Sequence, residues 1–325
     1  MTMDRLGDMR LFVEAASAGS LSAAGRKLGL SPAAASARLI KLEKALHTRL
    51  FERTTRQLRV TDEGRVYLQH CRIALQAIDD AEAALQAGQN VVRGKVRISA
   101  TSNFGRSMLN GWLDEFSALH PDVKFALTLS DSVSNLLLEE IDLAIRFGAP
   151  PDSGLAARAL APNRRVLCAS PAYLARMGVP ETPADLTGHD FLVVVTANGP
   201  LNELVFVRGD ERYTYTIPLA DAWETNDGAL LREWALAGHG IAHKSIWDIA
   251  ADVRAGTLQM VLPDWCTHEA AVHALFHANR YMAPRVRVLL DFLVERFEKT
   301  TNDLLGDLAY PPDARGKRRE WRPEL

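Results

Sequence analysis

The sequence predicts an α/β chain built from a small helical head, a long connecting helix and an α/β body. Three observations carry that expectation. Residues 20–64 hold two short helical patterns around a tight break at Gly29–Leu30. Residues 62–87 carry an apolar seam, with no proline and no glycine between Gly64 and Gly88. From Val96 onward, apolar runs of period two take turns with runs of helical period.

The head reads as residues 1–61. Leu6, Met9, Phe12, Val13 and Ala16 fall at helical spacing, which predicts a first helix over 4–18 that Gly19 ends. Ser20 is placed to cap a second helix, 21–28, whose Ala23, Ala24 and Gly25 allow a close neighbour. Ser31 then caps a third helix, with Pro32 at its first helical position. Leu39, Leu42 and Leu46 form the expected core stripe of that helix, and Ser36, Arg38 and Lys41 lie on the other face. A helix N-terminus and polar face presented this way suit a grooved, anionic partner, as in a DNA-binding helix-turn-helix. Leu50–Phe51 and Leu58–Val60 flank a polar, basic stretch, which predicts a two-stranded wing with Arg53 and Arg56 near its tip. The candidate DNA contacts are Ser31, Ala34, Ser36, Arg38, Lys41, Arg53 and Arg56.

Charge points the same way. Residues 26–59 contain nine Lys and Arg against Glu43 and Glu52, while the whole chain is formally −2. A basic head is thus carried on an acidic body, and such a head attracts phosphate through counterion release. Arginine suits guanine in the major groove, although phosphate takes most protein–DNA hydrogen bonds.

Residues 62–90 read as a linker helix, with Asp62 and Glu63 favouring the positive end of its dipole. Tyr67, Cys71, Ala74, Ile78, Ala81 and Leu85 are spaced 4, 3, 4, 3 and 4 apart, a heptad seam that predicts pairing with a second copy of the chain. A helix of roughly 27 residues would be about 40 Å long, more than a small head can cover.

The body is expected over 91–303, with a proline-rich, charged tail, 304–325, expected to be disordered. Strands are predicted around Val96–Ala100, Val123–Leu129, Ile141–Ile145, Arg165–Ala169, Phe191–Val195 and Val272–Phe276. Helices are predicted over 105–119, 227–237 and 284–300, an alternation that argues for parallel sheets. Some 200 residues suit two lobes. Ligands of such folds sit where strands end and helices begin. The residues so placed are Thr101, Ser102, Asn103 and Phe104, Ser132, Arg146, Thr196 and Asn198, Thr225 and Asn226, and Lys244. Their hydroxyls, amides and cations predict a small polar, anionic effector.

Other chemistry finds little support. No H-E-x-x-H, G-x-S-x-G, glycine-rich phosphate loop or CxxC is present, so neither catalytic residues nor a metal or cofactor is expected. His273 and His277 fall in a predicted strand, about 13 Å apart along an extended chain, which does not suit shared ligation. Cys71, Cys168 and Cys266 are few and scattered, as in a reducing cytoplasm. There is no run of 18 apolar residues and no apolar signal segment, so no membrane partner is expected. On these residues alone, a small-molecule binder with a vestigial head and an enzyme with a binding-protein-like body stay open beside a DNA-binding regulator.

The stretches LFVEAASAGSLSAAGRKLGLSPAAAS and RLIKLEKALHTRLFERTTRQLRVTDEG, followed in order by GKVRIS, IDLAIR and GHGIA, resemble the LysR-type transcriptional regulators over residues 6–300. The resemblance implies a winged helix-turn-helix, a dimerising linker helix and a two-lobed body similar to periplasmic solute-binding proteins. It also implies tetramers, double-stranded DNA and RNA polymerase as partners, and a small-molecule effector held between the lobes. Three positions depart from the family pattern. Ala37 stands where a longer side chain is usual, His47 where glycine is usual, and His243-Lys244-Ser245 replace a frequent Leu-Leu-Pro. Histidine tolerates the left-handed conformation better than most residues.

Overall fold

The computed structural model describes residues 4–53, 58–86, 92–131, 141–148, 155–265, 268–269, 271–277 and 282–309. They divide into two compact units, Met1–Val91 and Val92–Leu325.

In the first unit, α1 spans Arg5–Ala18, α2 Leu21–Lys27 and α3 Pro32–Leu46. Each start is capped by a side chain, Ser20 and Ser31 as the sequence predicts and Asp4 in addition. Asp4 accepts from Gly7 N at 3.0 Å, Ser20 from Ala23 N at 3.3 Å, and Ser31 from Ala34 N at 3.2 Å. Gly19 and His47 both end helices in the left-handed conformation, with φ of 60° and 53°. At Gly25 a Cβ would lie 2.9 Å from the Ala35 methyl, so the close crossing of α2 and α3 requires glycine there. Leu11, Phe12, Ala15, Ala24, Ala35, Leu39, Leu42, Leu50 and Phe51 form the core. Leu46 is not part of it. It sits on the last turn of α3, 37% exposed.

The wing is the antiparallel pair β1, Phe51–Arg53, and β2, Leu58–Val60, with Phe51 opposite Val60. Glu43 is buried beneath it and accepts from Leu50 N at 2.8 Å and Phe51 N at 3.3 Å. That acid therefore holds the entry to the wing, and its other oxygen pairs with the exposed Arg49 at 3.3 Å. Thr61 caps α4, Asp62–Gln86, accepting from Gly64 N at 2.9 Å.

The second unit begins with β3, Gly94–Ala100, followed by α5, Ser102–Phe104, a π-helical turn, Gly105–Leu109, and α6, Asn110–Leu119. The helix thus starts three residues before the predicted one. Next come β4, Val123–Leu129; β5, Leu143–Phe147; β6, Leu155–Ala161; and β7, Arg164–Ala169. They are followed by α7, Pro171–Met177; β8, Phe191–Thr196; β9, Gly199–Pro200; and the hairpin β10, Glu203–Arg208, with β11, Glu211–Thr216. The remainder is β12, Trp223–Thr225; α8, Gly228–Leu236; β13, Ile241–Ser245; α9, Ile246–Ala255; β14, Gln259–Val261; β15, His268–Glu269; β16, Val272–His277; and α10, Pro284–Thr300.

Two sheets define two lobes. The first has the order β4-β3-β5-β16-β6, and the second runs β12-β8-β13-β7-β14. The pairing is parallel only in part. β3 runs parallel to β4 and β5, but β16 is antiparallel to β5 and β6. In the second lobe β8 is parallel to β12 and β13, while β7 is antiparallel to β13 and β14. The chain leaves the first lobe after β6 and returns through β16, which enters antiparallel to both its neighbours.

Three expectations are corrected here. Phe104 is wholly buried, stacked on Phe297 at 5.4 Å and edge-on to Trp112 and Phe147, and so belongs to the core. Tyr67 and Cys71 pack into the core of the first unit, Tyr67 against Phe12 at 5.6 Å, so these two of the six predicted seam positions are covered within the chain. Ordered structure continues past 303, where the tail was expected to start. Two helical turns reach Ala309, Leu305 and Ala309 are buried, and Arg164 Nε donates to Leu308 O at 2.9 Å. Residues 310–325 lie outside the described residues.

Candidate nucleic-acid face and inter-lobe cleft

Proline at N1 and the Ser31 cap fix where α3 begins, and the burial of Ala35, Leu39 and Leu42 fixes which face it shows. Ser31, Ala37, Lys41 and Lys44 are exposed, and Ala34 and Ser36 half-buried. Exposed Ile40 lies among them. Lys44 belongs to this face and was missed, although it stands seven residues after Ala37 on the same side of the helix.

Arg38 is differently employed. Its Nε donates to Asp8 Oδ1 at 2.6 Å and its Nη2 to Asp4 Oδ2 at 2.8 Å and Asp4 O at 3.3 Å. Asp8 is buried. Asp8 and then Asp4 raise the guanidinium pKa further, and the side chain ties α3 to the start of α1. The backbone of Arg53 ends β1, and Arg56 lies outside the described residues. Arg59, on β2, is exposed.

On α4, Ala74 and Ile78 are half-buried and Ala81 is exposed, while Leu85 is placed on the helix. Val66 and Ile73, seven residues apart, are 60% and 37% exposed. They form an apolar row beside the predicted seam, displaced by one residue from Tyr67 and Ala74.

In the second unit, the two lobes face one another across a cleft of about 480 Å³. The first lobe lines it with Ser102, Arg106, Leu129, Ser130 and Asp131, and the second with Val195, Thr196, Ala197, Asn226 and Asp227. Of the predicted effector residues, Ser102, Thr196 and Asn226 meet here. Thr101 stands half-buried at the start of α5. Asn103 is buried and donates to Asp248 O at 3.4 Å. Asn198 and Thr225 make local bonds: Asn198 N donates to Thr196 Oγ1, and Thr225 Oγ1 accepts from Asp227 N. Ser132 lies outside the described residues.

The two expected cations do not line the cleft. Arg146 is turned into the first lobe and donates to Ser99 Oγ at 2.6 Å and Ile145 O at 2.9 Å. Lys244 is buried beneath α8 and donates to Gly228 O at 2.7 Å, with Asp248 Oδ2 at 2.8 Å. A strand residue points to alternate faces, and for both the inward face was the occupied one.

Arg106 supplies the cleft's cation instead, pairing with Asp227 at 2.9 Å across the lobes. Burial pushes the Asp227 carboxyl up. Arg106, then the N–H of Ala229, the Ser102 hydroxyl and the N–H of Leu230, outweigh it and hold the group below the usual carboxylate range. Asp131 receives Ser102 N at 3.1 Å, the Ser102 hydroxyl, and Gly228 N at 2.7 Å from the opposite lobe. Arg106, Asp131 and Asp227 were absent from the predicted set. The one sequence signal for them is position, since Asp131 and Asp227 flank predicted element ends.

Cys71 and Cys168 are free and buried, and burial raises both thiols, Cys168 to about 12. Neither is poised to react at neutral pH. His273 Nδ1 bonds Gly148 O at 3.0 Å. Among the described residues no helix is long and apolar enough to cross a membrane.

Residues 6–65 match the family described as bacterial regulatory helix-turn-helix protein, lysR family, and residues 89–298 match the LysR substrate binding domain. An HTH-type transcriptional repressor of Pseudomonas aeruginosa is 35% identical over 94% of this chain and 96% of its own length. The HTH-type transcriptional activator AaeR of Escherichia coli is 31% identical over 97% and 99%. The structure of CrgA, a LysR-type transcriptional regulator from Neisseria meningitidis, aligns with TM-score 0.58 at 30% identity, covering 90% of this chain and 98% of that one. Full-length CbnR, solved with its target DNA, shares the fold at TM-score 0.54 and 16% identity over 90% and 99%.

Proposed function

The chain belongs to the LysR-type family of transcriptional regulators, and on that premise we propose that a small polar, anionic molecule held between the lobes sets how the head acts on DNA. The family assignment makes it a DNA-binding regulator with a substrate-binding domain. One observation carries the finer reading. Where the lobes meet, donors from both already hold a carboxylate, that of Asp131, beside the guanidinium of Arg106. A second carboxylate would find the same chemistry, with Thr196 and Asn226 opposite to orient the rest of the molecule.

On the head, Ser36, Lys41 and Lys44 face outward from α3 and would meet bases and phosphates, with Ser31 and Ala34 at the helix start and Arg53 and Arg56 from the wing. The row Ala74, Ile78, Ala81 and Leu85, joined by Val66 and Ile73, would pair two copies through α4, and pairs would assemble into tetramers. The regulator would work in the cytoplasm, without a resident cofactor, and meet RNA polymerase at its promoters. Its relatives include a repressor and an activator, so either sign of control suits this architecture.

A thermal-shift screen of the full chain against small mono- and dicarboxylic acids, including aromatic ones, tests the effector. Acids that stabilise the parent should lose their effect in Arg106→Ala and Thr196→Val, and should change a reporter driven by the bound operator. If every acid leaves both melting and reporter output unchanged, the cleft has another ligand or none.

A further inference from the structure

Three N–H and O–H groups from two lobes converge on one side chain. Thr101 occupies the capping position of α5 but makes no side-chain cap there. The first N–H of that helix, from Ser102, goes instead to Asp131, 29 residues away. On the other lobe, Asp227 caps α8 by accepting from Ala229 N at 2.8 Å and Leu230 N at 3.4 Å, which leaves the N–H of Gly228. That group, 97 residues from Asp131 in sequence, donates to it at 2.7 Å.

The seat is rigid. Lys244, itself paired with Asp248, donates to Gly228 O, so the peptides on both sides of Gly228 are held. A Cβ on Gly228 would lie 3.2 Å from Asp131 Oδ2 and 3.3 Å from Lys244 Nζ, so a larger residue would press on both groups. Asp131 also lines the open cleft, where a small molecule can reach it.

We propose that Asp131 is an internal stand-in for the effector's carboxylate, latching the lobes together until a carboxylate-bearing molecule takes Ser102 and Gly228 from it. The inference rests on the effector reading above. Its physical basis is exchange of like for like. A carboxylate that replaces Asp131 restores every hydrogen bond it breaks, so the two arrangements lie close in free energy and ligand concentration decides between them. A neutral ligand lacking acceptors would leave buried N–H groups unpaired, so the latch also selects for anions.

The test is chemical rescue in the full chain. Asp131→Ala empties the seat, whereas Asp131→Asn fills it with an amide. Melting of Asp131→Ala should fall, and sodium formate or acetate should raise it with the logarithm of concentration. Sodium chloride of equal ionic strength should not. The parent and Asp131→Asn should show neither effect at the concentrations that rescue alanine. Equal formate shifts in all three proteins would overturn the proposal. Should Asp131→Ala fail to fold, Asp131→Ser, which removes the carboxylate and leaves the seat unfilled, decides through a reporter. Output without added acid should leave the parental level, and unchanged output overturns the latch. Rescue by formate in a chain whose parent answers no acid would uphold the latch itself and overturn the effector reading beneath it.

Discussion

Arg38 Nε stands 2.6 Å from the buried carboxylate of Asp8, so the arginine that best suits guanine by sequence is spent holding α3 against α1. Removing it leaves Asp8 buried without its cation. We expect Arg38→Ala to cost about 1–3 kcal/mol of head stability, with operator affinity lost alongside melting temperature. Denaturant titration of the variant checks this. Unchanged stability with lost affinity would return Arg38 to the DNA face.

Lys41 and Lys44 are exposed on α3 and carry no such duty among the described contacts. Lys41→Ala and Lys44→Ala should melt like the parent and weaken operator binding. Each should reduce the slope of log affinity against log salt by about one if it contacts a phosphate. Anisotropy titrations across a salt series measure it, and parental slopes in both variants would place the basic contact elsewhere.

Ile73→Asp sets a charge on the exposed apolar row of α4, whereas Cys71→Ala removes volume from the head core. Sedimentation should show smaller species for the first at unchanged head stability. The second should keep the parental mass and melt lower, by about 1–2 kcal/mol. Reversed results would mean that the seam through Cys71 faces the partner after all.

Acid should loosen the cleft. The folded pKa of Asp227 lies below its unfolded value, so its contribution is present above the usual aspartate range and is lost as pH falls through the folded value. Stability of the second unit measured from pH 6 to pH 3 should therefore fall more steeply in the parent than in Asp227→Asn. Parallel acid limbs would contradict the Arg106–Asp227 tie.

Local chemistry made much of the head legible. Ser20 and Ser31 cap the helices expected of them, because a cap depends on residues three positions apart. His47 takes the left-handed position where the family pattern has glycine. Tertiary partners were not legible. Heptad spacing shows that Tyr67 and Cys71 are covered, but not that Phe12 and the head cover them. Arg146 follows a predicted strand as a ligand-binding cation would, yet it and Lys244 both lie within strands, and Ser99 and Gly228 claim them. Asp131 is not marked by its local sequence, because its partner Gly228 comes from the other lobe. The mixed sheets likewise depend on β16 and β7 pairing antiparallel with strands distant in sequence, which no local pattern records.

The central claim is that binding in the cleft changes what the head does on DNA. Its most direct test is the affinity of the full chain for an operator selected from genomic fragments, measured at 150 mM salt with and without an acid that stabilises it. The selected duplex should bind about 10³-fold or more tightly than a random one. The acid should shift that affinity or the protected length in the parent and do neither in Thr196→Val. Equal affinity for selected and random DNA, or an acid effect that survives Thr196→Val and Arg106→Ala alike, would contradict it.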